Sequence, residues 1–269
     1  MLFSSSLRVV MFAGLLAGLN ACATLDSDDA PQNGDSPAEY GLIEDGGYTI
    51  PAVPAQFLQG VNRRALVDYP GDLGPGVIEI DPHAKFLYLI QDDGMAMRYP
   101  IAVGRAGRGL RFPTVIRIKR EWPSWTPTAN MLRTQPEQYG DFAAGIPGGP
   151  VSPLGARALY LFSGSRDTHF RIHGTNDLRV IGNSGSAGCI RLFNQDVIDL
   201  YDRVENGTRV VIRSYEDSVR IEGEELANRG EELPPLDVDS DVIFAAIEAQ
   251  LASSETTESA ADSDDEAEG

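Results

Sequence analysis

Within one short stretch the chain changes its periodicity twice, and that change fixes what can be built there. Thr168-His169-Phe170-Arg171-Ile172-His173 alternates polar and apolar residues, the pattern of a strand with one buried face. Phe170 and Ile172 are expected to face a core, leaving His169, Arg171 and His173 on the other side. Beyond Asn194, apolar residues at 197, 200, 201 and 204 recur at helical spacing, with Asn194 expected as the helix cap. Between strand and helix, Gly185, Ser186, Ala187 and Gly188 lead into Cys189, the only cysteine outside the extreme N-terminus. A turn of small residues can expose a thiol and converge backbone N–H groups on one point, as an oxyanion hole requires. A thiol becomes a strong nucleophile when a neighbouring base takes its proton, and His173 is the natural base.

The surrounding sequence reads as short strands: 77–81, 86–90, 96–103, 115–119, 159–162 and 208–213, separated by turn residues such as Asp92-Asp93-Gly94. Short strands with one clear helix predict a mainly β fold, a β-sandwich with an attached α-helix. His83, in Asp81-Pro82-His83, reads as a surface turn residue. Trp122 and Trp125, set among prolines in Glu121 to Pro127, form either core or one wall of a substrate groove. Gly145-Ile146-Pro147-Gly148-Gly149-Pro150 reads as a loop near the site or at its rim, without the pattern of a phosphate-binding loop. A metal centre is not expected, because only His169, His173 and Cys189 lie near one another in sequence and no Cys-x-x-Cys accompanies them.

Charge and composition divide the remainder. The net charge of −18 is concentrated after Tyr215, where eighteen acidic residues face only Arg220 and Arg229. The acidity therefore describes a tail, and no basic face suggests nucleic acid. Arg8 and the apolar run Val9 to Leu19 form the core of an export signal, too short to span a bilayer comfortably. That run ends in Leu19-Asn20-Ala21-Cys22, which resembles a lipobox and makes Cys22 a candidate lipidation site. An ordinary signal peptide is the alternative. The expected organisation is a signal peptide at 1–22, a spacer or arm at 23–75, a catalytic domain at 76–214 and an acidic, mostly disordered tail at 215–269. A short amphipathic helix is expected near 242–252 behind an Asp241 cap, either docked on the domain or serving as a partner-binding segment. A chain ending near Ser214 is accordingly expected to stay folded.

The signature His173-Gly174 followed by Ser186-Ala187-Gly188-Cys189-Ile190-Arg191 resembles the catalytic motif of the L,D-transpeptidases with a YkuD domain. Flanking phrases such as IDPHAKFLYLI, GIPGGP and PLGARALYLF resemble the family too, over roughly 76–213. The resemblance implies a cofactor-independent enzyme acting on peptidoglycan stem peptides. Cys189 would be the nucleophile and His173 the general base, with Arg191, Gly188, Gly174 and Ser186 in substrate or oxyanion binding. Trp122, Trp125 and His169 are groove candidates. Arg191 would bind a substrate carboxylate or, alternatively, pair with acids of the following helix. Where many relatives carry histidine or serine, this chain has Ala187, so any side-chain role there is lost. Export and the Cys22 anchor imply a periplasmic protein held at a membrane, the outer membrane being favoured. Hydrolysis of the same bond, by a carboxypeptidase or amidase, is the main alternative, and a non-catalytic wall-binding lipoprotein is a remoter one.

Overall fold

The computed structural model describes residues 37–104, 113–185, 188–234 and 239–265, with side chains in the last segment described as far as 252. The expected signal segment, Cys22, the first part of the spacer, Ser186 and Ala187 lie outside the described residues.

The fold is mainly β. A small hairpin of β1 (Ile43–Asp45) and β2 (Tyr48–Ile50) precedes a sheet of ten strands. These are β3 (Ala65–Asp68), β4 (Ile78–Asp81), β5 (Phe86–Ile90), β6 (Met95–Pro100), β7 (Ala102–Val103), β8 (Thr114–Glu121), β9 (Arg157–Ser163), β10 (Arg166–His173), β11 (Ile190–Arg191) and β12 (Arg209–Ile212). Their order across the sheet is β3-β6-β5-β4-β12-β8-β9-β10-β11-β7. Only Ile101 separates β6 from β7, yet these strands lie second from one end and last at the other. The sheet must therefore roll until its ends meet, and this rolled sheet is the sandwich expected from the strand spacing. Inside it pack Ile78, Ile80, Leu87, Tyr99, Ile101, Ile116, Leu159, Leu161, Ile172 and Ile190, together with Val197 and Leu200 of helix α3 (Asn194–Arg203). Each such side chain contributes about 1.5–3 kcal/mol on leaving water.

Helices α1 (Ala129–Thr134) and α2 (Pro136–Tyr139) form an insert between β8 and β9; α4 (Tyr215–Glu222), α5 (Glu224–Ala227) and α6 (Ser240–Asp265) follow β12. Among the described residues, no helix is long and apolar enough to cross a membrane.

Three local expectations are corrected. Asn194 does not cap α3: it is the first helical residue, and its Oδ1 accepts from the Ala156 N–H at 2.9 Å. Asp241 is likewise inside α6, and Asp239 Oδ1 accepts the Asp241 N–H at 2.9 Å. His169 does not continue the alternation of β10, because a bulge between Asp167 and Arg171 turns it to φ 62° and leaves it exposed.

Both flanks pack more closely than their composition suggests. In the arm, β3 pairs with β6, and the fully buried Tyr40 donates to Asp196 of α3 at 3.1 Å. Arg64 pairs with the same carboxylate at 3.2 Å, and Asp45 of the hairpin grips Arg157 at 2.7 Å. Burial raises the Asp196 carboxyl to about 7 despite Arg64 and Tyr40.

Residues 215–234, expected in a mostly disordered tail, instead lie against the domain. Glu222 reaches Arg213 at 2.6 Å in a buried cluster that also holds Glu79 and Asp81, while Tyr88 donates to Glu222 at 2.7 Å. Arg229 donates to the carbonyls of Ala84 and Lys85. Leu233 packs beside Val180 and Phe193, and its N–H donates to Ser184 O at 2.7 Å. The helix expected near 242–252 runs over Ser240–Asp265. It docks on the insert through Ser240 to Asp141 (2.9 Å), Phe244 against Phe142 (ring centroids 5.7 Å) and Gln250 to Gly148 O (2.8 Å).

Candidate active site

Parallel pairing of β10 with β11 sets Ile172 opposite Ile190 and His173 opposite Arg191. Paired residues of adjacent strands project to the same side, and that side alternates along each strand. Arg171, His173, Cys189 and Arg191 therefore share one face, while Ile172 and Ile190 enter the core. On its far side β11 is backed by β7, with Ile190 opposite Val103.

His173 is 3% exposed, and its Nδ1 lies 2.5 Å from the carbonyl oxygen of Gly174. A carbonyl only accepts, so Nδ1 carries the proton and Nε2 keeps its lone pair in the neutral ring. Burial, with Arg191 adding positive charge nearby, pushes the imidazole pKa down to about 3; the carbonyls of Gly174 and Leu154 only partly oppose this. A Cβ on Gly174 would sit 2.1 Å from Asn194 Oδ1, so a larger residue there must push that side chain off the Ala156 N–H.

Cys189 keeps partial exposure, and its Sγ lies 4.0 Å from the carbonyl oxygen of His169. Burial of the sulfur pushes the thiol pKa above its usual range. The backbone N–H of Arg171 and the guanidiniums of Arg191 and Arg171 pull the other way without cancelling that effect. At neutral pH the resting site thus holds a neutral thiol and a neutral imidazole. The turn before Cys189 is tied from outside: Ser184 N–H donates to Glu231 O at 2.8 Å and Ser184 O accepts from Leu233 N–H.

Arg191 is mostly buried, and its Nε has no hydrogen-bond acceptor among the described residues. Of the acids of α3, Asp196 pairs with Arg64 and Asp199 with Arg203 at 2.9 Å. Burial depresses the guanidinium pKa, opposed by the negative potential of Cys189, Asp177 and Tyr139. A guanidinium with an N–H left over, set beside Cys189, suits a carboxylate ligand.

The YkuD profile, described as the L,D-transpeptidase catalytic domain, matches residues 75–212. This chain belongs to that family. ErfK/SrfK of Escherichia coli K12, named a probable L,D-transpeptidase, is 35% identical over 145 residues, covering 53% of this chain and 45% of that protein. The chain thus spans about half the length of that relative. YkuD of Bacillus licheniformis, also named for L,D-transpeptidase, is 33% identical over 166 residues, covering 62% of this chain and 94% of that one. A crystal structure from Brucella melitensis, named a probable carnitine operon oxidoreductase, is 48% identical over 58% of this chain and 96% of that chain, with a TM-score of 0.41.

The YkuD site separates the groove candidates. Trp122 turns to the β1–β2 hairpin, donating Nε1–H to Asp45 at 2.8 Å with the Tyr48 ring 4.8 Å away. Trp125 instead lies 6.1 Å from the ring of Tyr139, on the insert beside Arg191. His169 is exposed, and its carbonyl oxygen lies 4.0 Å from the Cys189 sulfur. Gly188 is buried immediately before the nucleophile. The Gly145–Pro150 loop packs on the tryptophan segment, where a Cβ on Gly148 would fall 2.0 Å from Trp122 O. Among the described residues no group of three or more His, Cys, Asp or Glu could hold a metal ion. Tyr139, the Leu154 carbonyl and the Arg171 amide were not singled out in the sequence. Two are backbone groups with no sequence signature, and Tyr139 lies in an insert of mixed polarity.

Proposed function

We propose that this YkuD domain is a peptidoglycan L,D-transpeptidase that transfers an acyl group from a stem tetrapeptide through a thioester on Cys189. The supporting observation is the shared face of Cys189, neutral His173 and Arg191, whose Nε has no acceptor among the described residues. In acylation the Cys189 sulfur attacks the carbonyl carbon of the bond to the terminal residue, and the thiol proton passes to His173 Nε2. That proton then goes to the departing amine as the C–N bond breaks. An incoming amine attacks the thioester and yields its proton to Nε2; thiol and imidazole are regenerated. Cross-linking, attachment of protein, and exchange of D-amino acids differ only in that amine. The N–H of Cys189 and a neighbouring amide hold the oxyanion, and Gly188 precedes the first of them. Arg191 holds a donor carboxylate, and Trp125 lines the groove beside it.

Incubating the purified protein with defined tetrapeptide muropeptides and weighing the products tests this reading. Cross-linked dimers with release of the terminal residue are expected. Tripeptides alone would assign a carboxypeptidase, cleavage of a wall-attached peptide an amidase, and unchanged substrate a wall-binding protein. The placement is an exported protein anchored through lipidated Cys22, favouring the outer membrane on its periplasmic side. Loss of membrane fractionation in Cys22→Ser is the corresponding result.

Two further outcomes follow from the electrostatics. An imidazole ionising near its usual ~6.5 would give an acidic limb there. With His173 held at about 3, its base form persists through neutral pH and is lost only on descending towards that value. Carbapenem acylation is therefore expected to stay level from about pH 5 to about 8, as stopped-flow rates would show. For Arg191→Lys, loss of the forked geometry removes about 1.5–3 kcal/mol of charged hydrogen bonding. The donor KM should rise roughly tenfold or more, while carbapenem-independent alkylation of Cys189 changes far less.

A further inference from the structure

Four observations converge on the bulge of β10. The pairing with β9 slips between Asp167 and Arg171, and within the slip His169 takes φ 62°, a left-handed conformation that a histidine adopts at a cost of about 1–2 kcal/mol. Asp167 closes the bulge from beneath: its Oδ1 accepts the His169 N–H at 2.8 Å, and its two oxygens take the Arg171 guanidinium at 2.7 and 2.8 Å. Arg171 is also stacked over Tyr160, 4.1 Å from the ring centroid. The far side of the same bulge is what Cys189 meets, namely the His169 carbonyl and the Arg171 N–H.

We infer that Asp167 is a positioning residue, holding the β10 bulge in the left-handed turn that aims the Arg171 amide and the His169 carbonyl at the Cys189 sulfur. The carbonyl accepts from the resting thiol, and the amide donates to the thiolate as its proton leaves. The bulge therefore holds one acceptor and one donor ready for the two states of the sulfur. A carboxylate is required because it serves two partners at once, the backbone of His169 and the side chain of Arg171. The other charged or titratable groups facing the sulfur are the guanidiniums of Arg171 and Arg191 and, from β10, His173. The inference rests on Cys189 as the reacting thiol but not on which amine accepts the acyl group.

The test compares the full chain with Asp167→Ala, Asp167→Asn, His169→Gly and His169→Val. It reads the rate of Cys189 alkylation by iodoacetamide against pH, with thiolate absorbance and Cys189→Ala as the blank. Glycine occupies the left-handed region freely, whereas a β-branched residue resists it. Both His169 variants lack the imidazole, so they isolate the backbone. His169→Gly should react about tenfold faster than His169→Val, and Asp167→Ala should fall about tenfold below wild type with its midpoint moved to higher pH. Asp167→Asn, which keeps an acceptor for the His169 N–H but loses the charge, should lie between.

Equal rates for the two His169 variants, or a wild-type profile in Asp167→Ala, would overturn the inference. Should Asp167→Ala not fold, the His169 pair and Asp167→Asn decide it. The two readings fail separately. A protein whose thiol obeys this series but leaves muropeptides untouched refutes the transpeptidase reading alone. One that cross-links muropeptides with thiol reactivity indifferent to these changes refutes the bulge alone.

Discussion

Cys189→Ala is expected to lose all covalent capture by a carbapenem and all turnover of tetrapeptide donors. Intact-protein mass spectrometry after incubation with the carbapenem would show no adduct. The reason lies in the geometry of the face shared by β10 and β11. Its other nucleophilic candidate is the imidazole of His173, which is buried and tied through Nδ1 to Gly174. His173→Ala should leave the thiol in place but slow acylation by about 10² or more, because the resting sulfur is protonated and burial opposes its ionisation. A carbapenem adduct on Cys189→Ala would place the chemistry elsewhere. Ordinary acylation by His173→Ala would mean that another group removes the proton.

The second large effect concerns the segment after Ser214. Read by composition, a chain ending at Ser214 should fold; the packing leads to the opposite expectation. Such a chain loses Glu222 from the Arg213 cluster, the buried Ala227, the Arg229 donors to Ala84 and Lys85, and the Leu233 and Glu231 bonds to Ser184. Arg213 keeps Glu79 and Asp81, but hydrogen bonds to charged groups are each worth about 1.5–3 kcal/mol, and losing these contacts together removes a large part of the roughly 5–15 kcal/mol by which domains are stable. Thermal unfolding should show a weakened or absent transition, and carbapenem capture should fall with it. A chain ending at Pro234 keeps all of these contacts and should retain both. Cooperative unfolding and full acylation after truncation at Ser214 would contradict this account.

The sequence made the centre of the molecule legible because periodicity and residue type agreed there. The alternation through Phe170 and Ile172, the small residues before Cys189 and the helical spacing from Val197 each correspond to an element. The carbonyl that orients His173 belongs to Gly174, the very next residue. What escaped is of two kinds. Tyr40, Asp45, Arg64, Glu222 and Leu233 are isolated residues in polar segments; the first three act through partners more than a hundred residues away, Glu222 within a shared ionic cluster, and Leu233 on the distant Ser184 and Val180. No local pattern announces such a contact. His169 was read from period two, which a single bulge residue overrides; its exposure could not be seen without the slip in register.

The joining of the sheet's ends through Ile101 has a consequence for when this protein becomes chemically competent. Strand β11, which follows Cys189, is clasped between β10 and β7, and the pairing of Arg191 with Ala102 spans a long loop of chain. The turn before it is fixed only once Glu231 and Leu233 arrive. Contacts so distant in sequence carry a loop-closure entropy that must be met before they stabilise anything, so they form late. During synthesis, and in any unfolded passage between compartments, Cys189 is then an ordinary thiol beside an unplaced histidine. Catalysed acyl transfer arises with the final closure of the fold, and until then the chain carries only the uncatalysed reactivity of a free thiol.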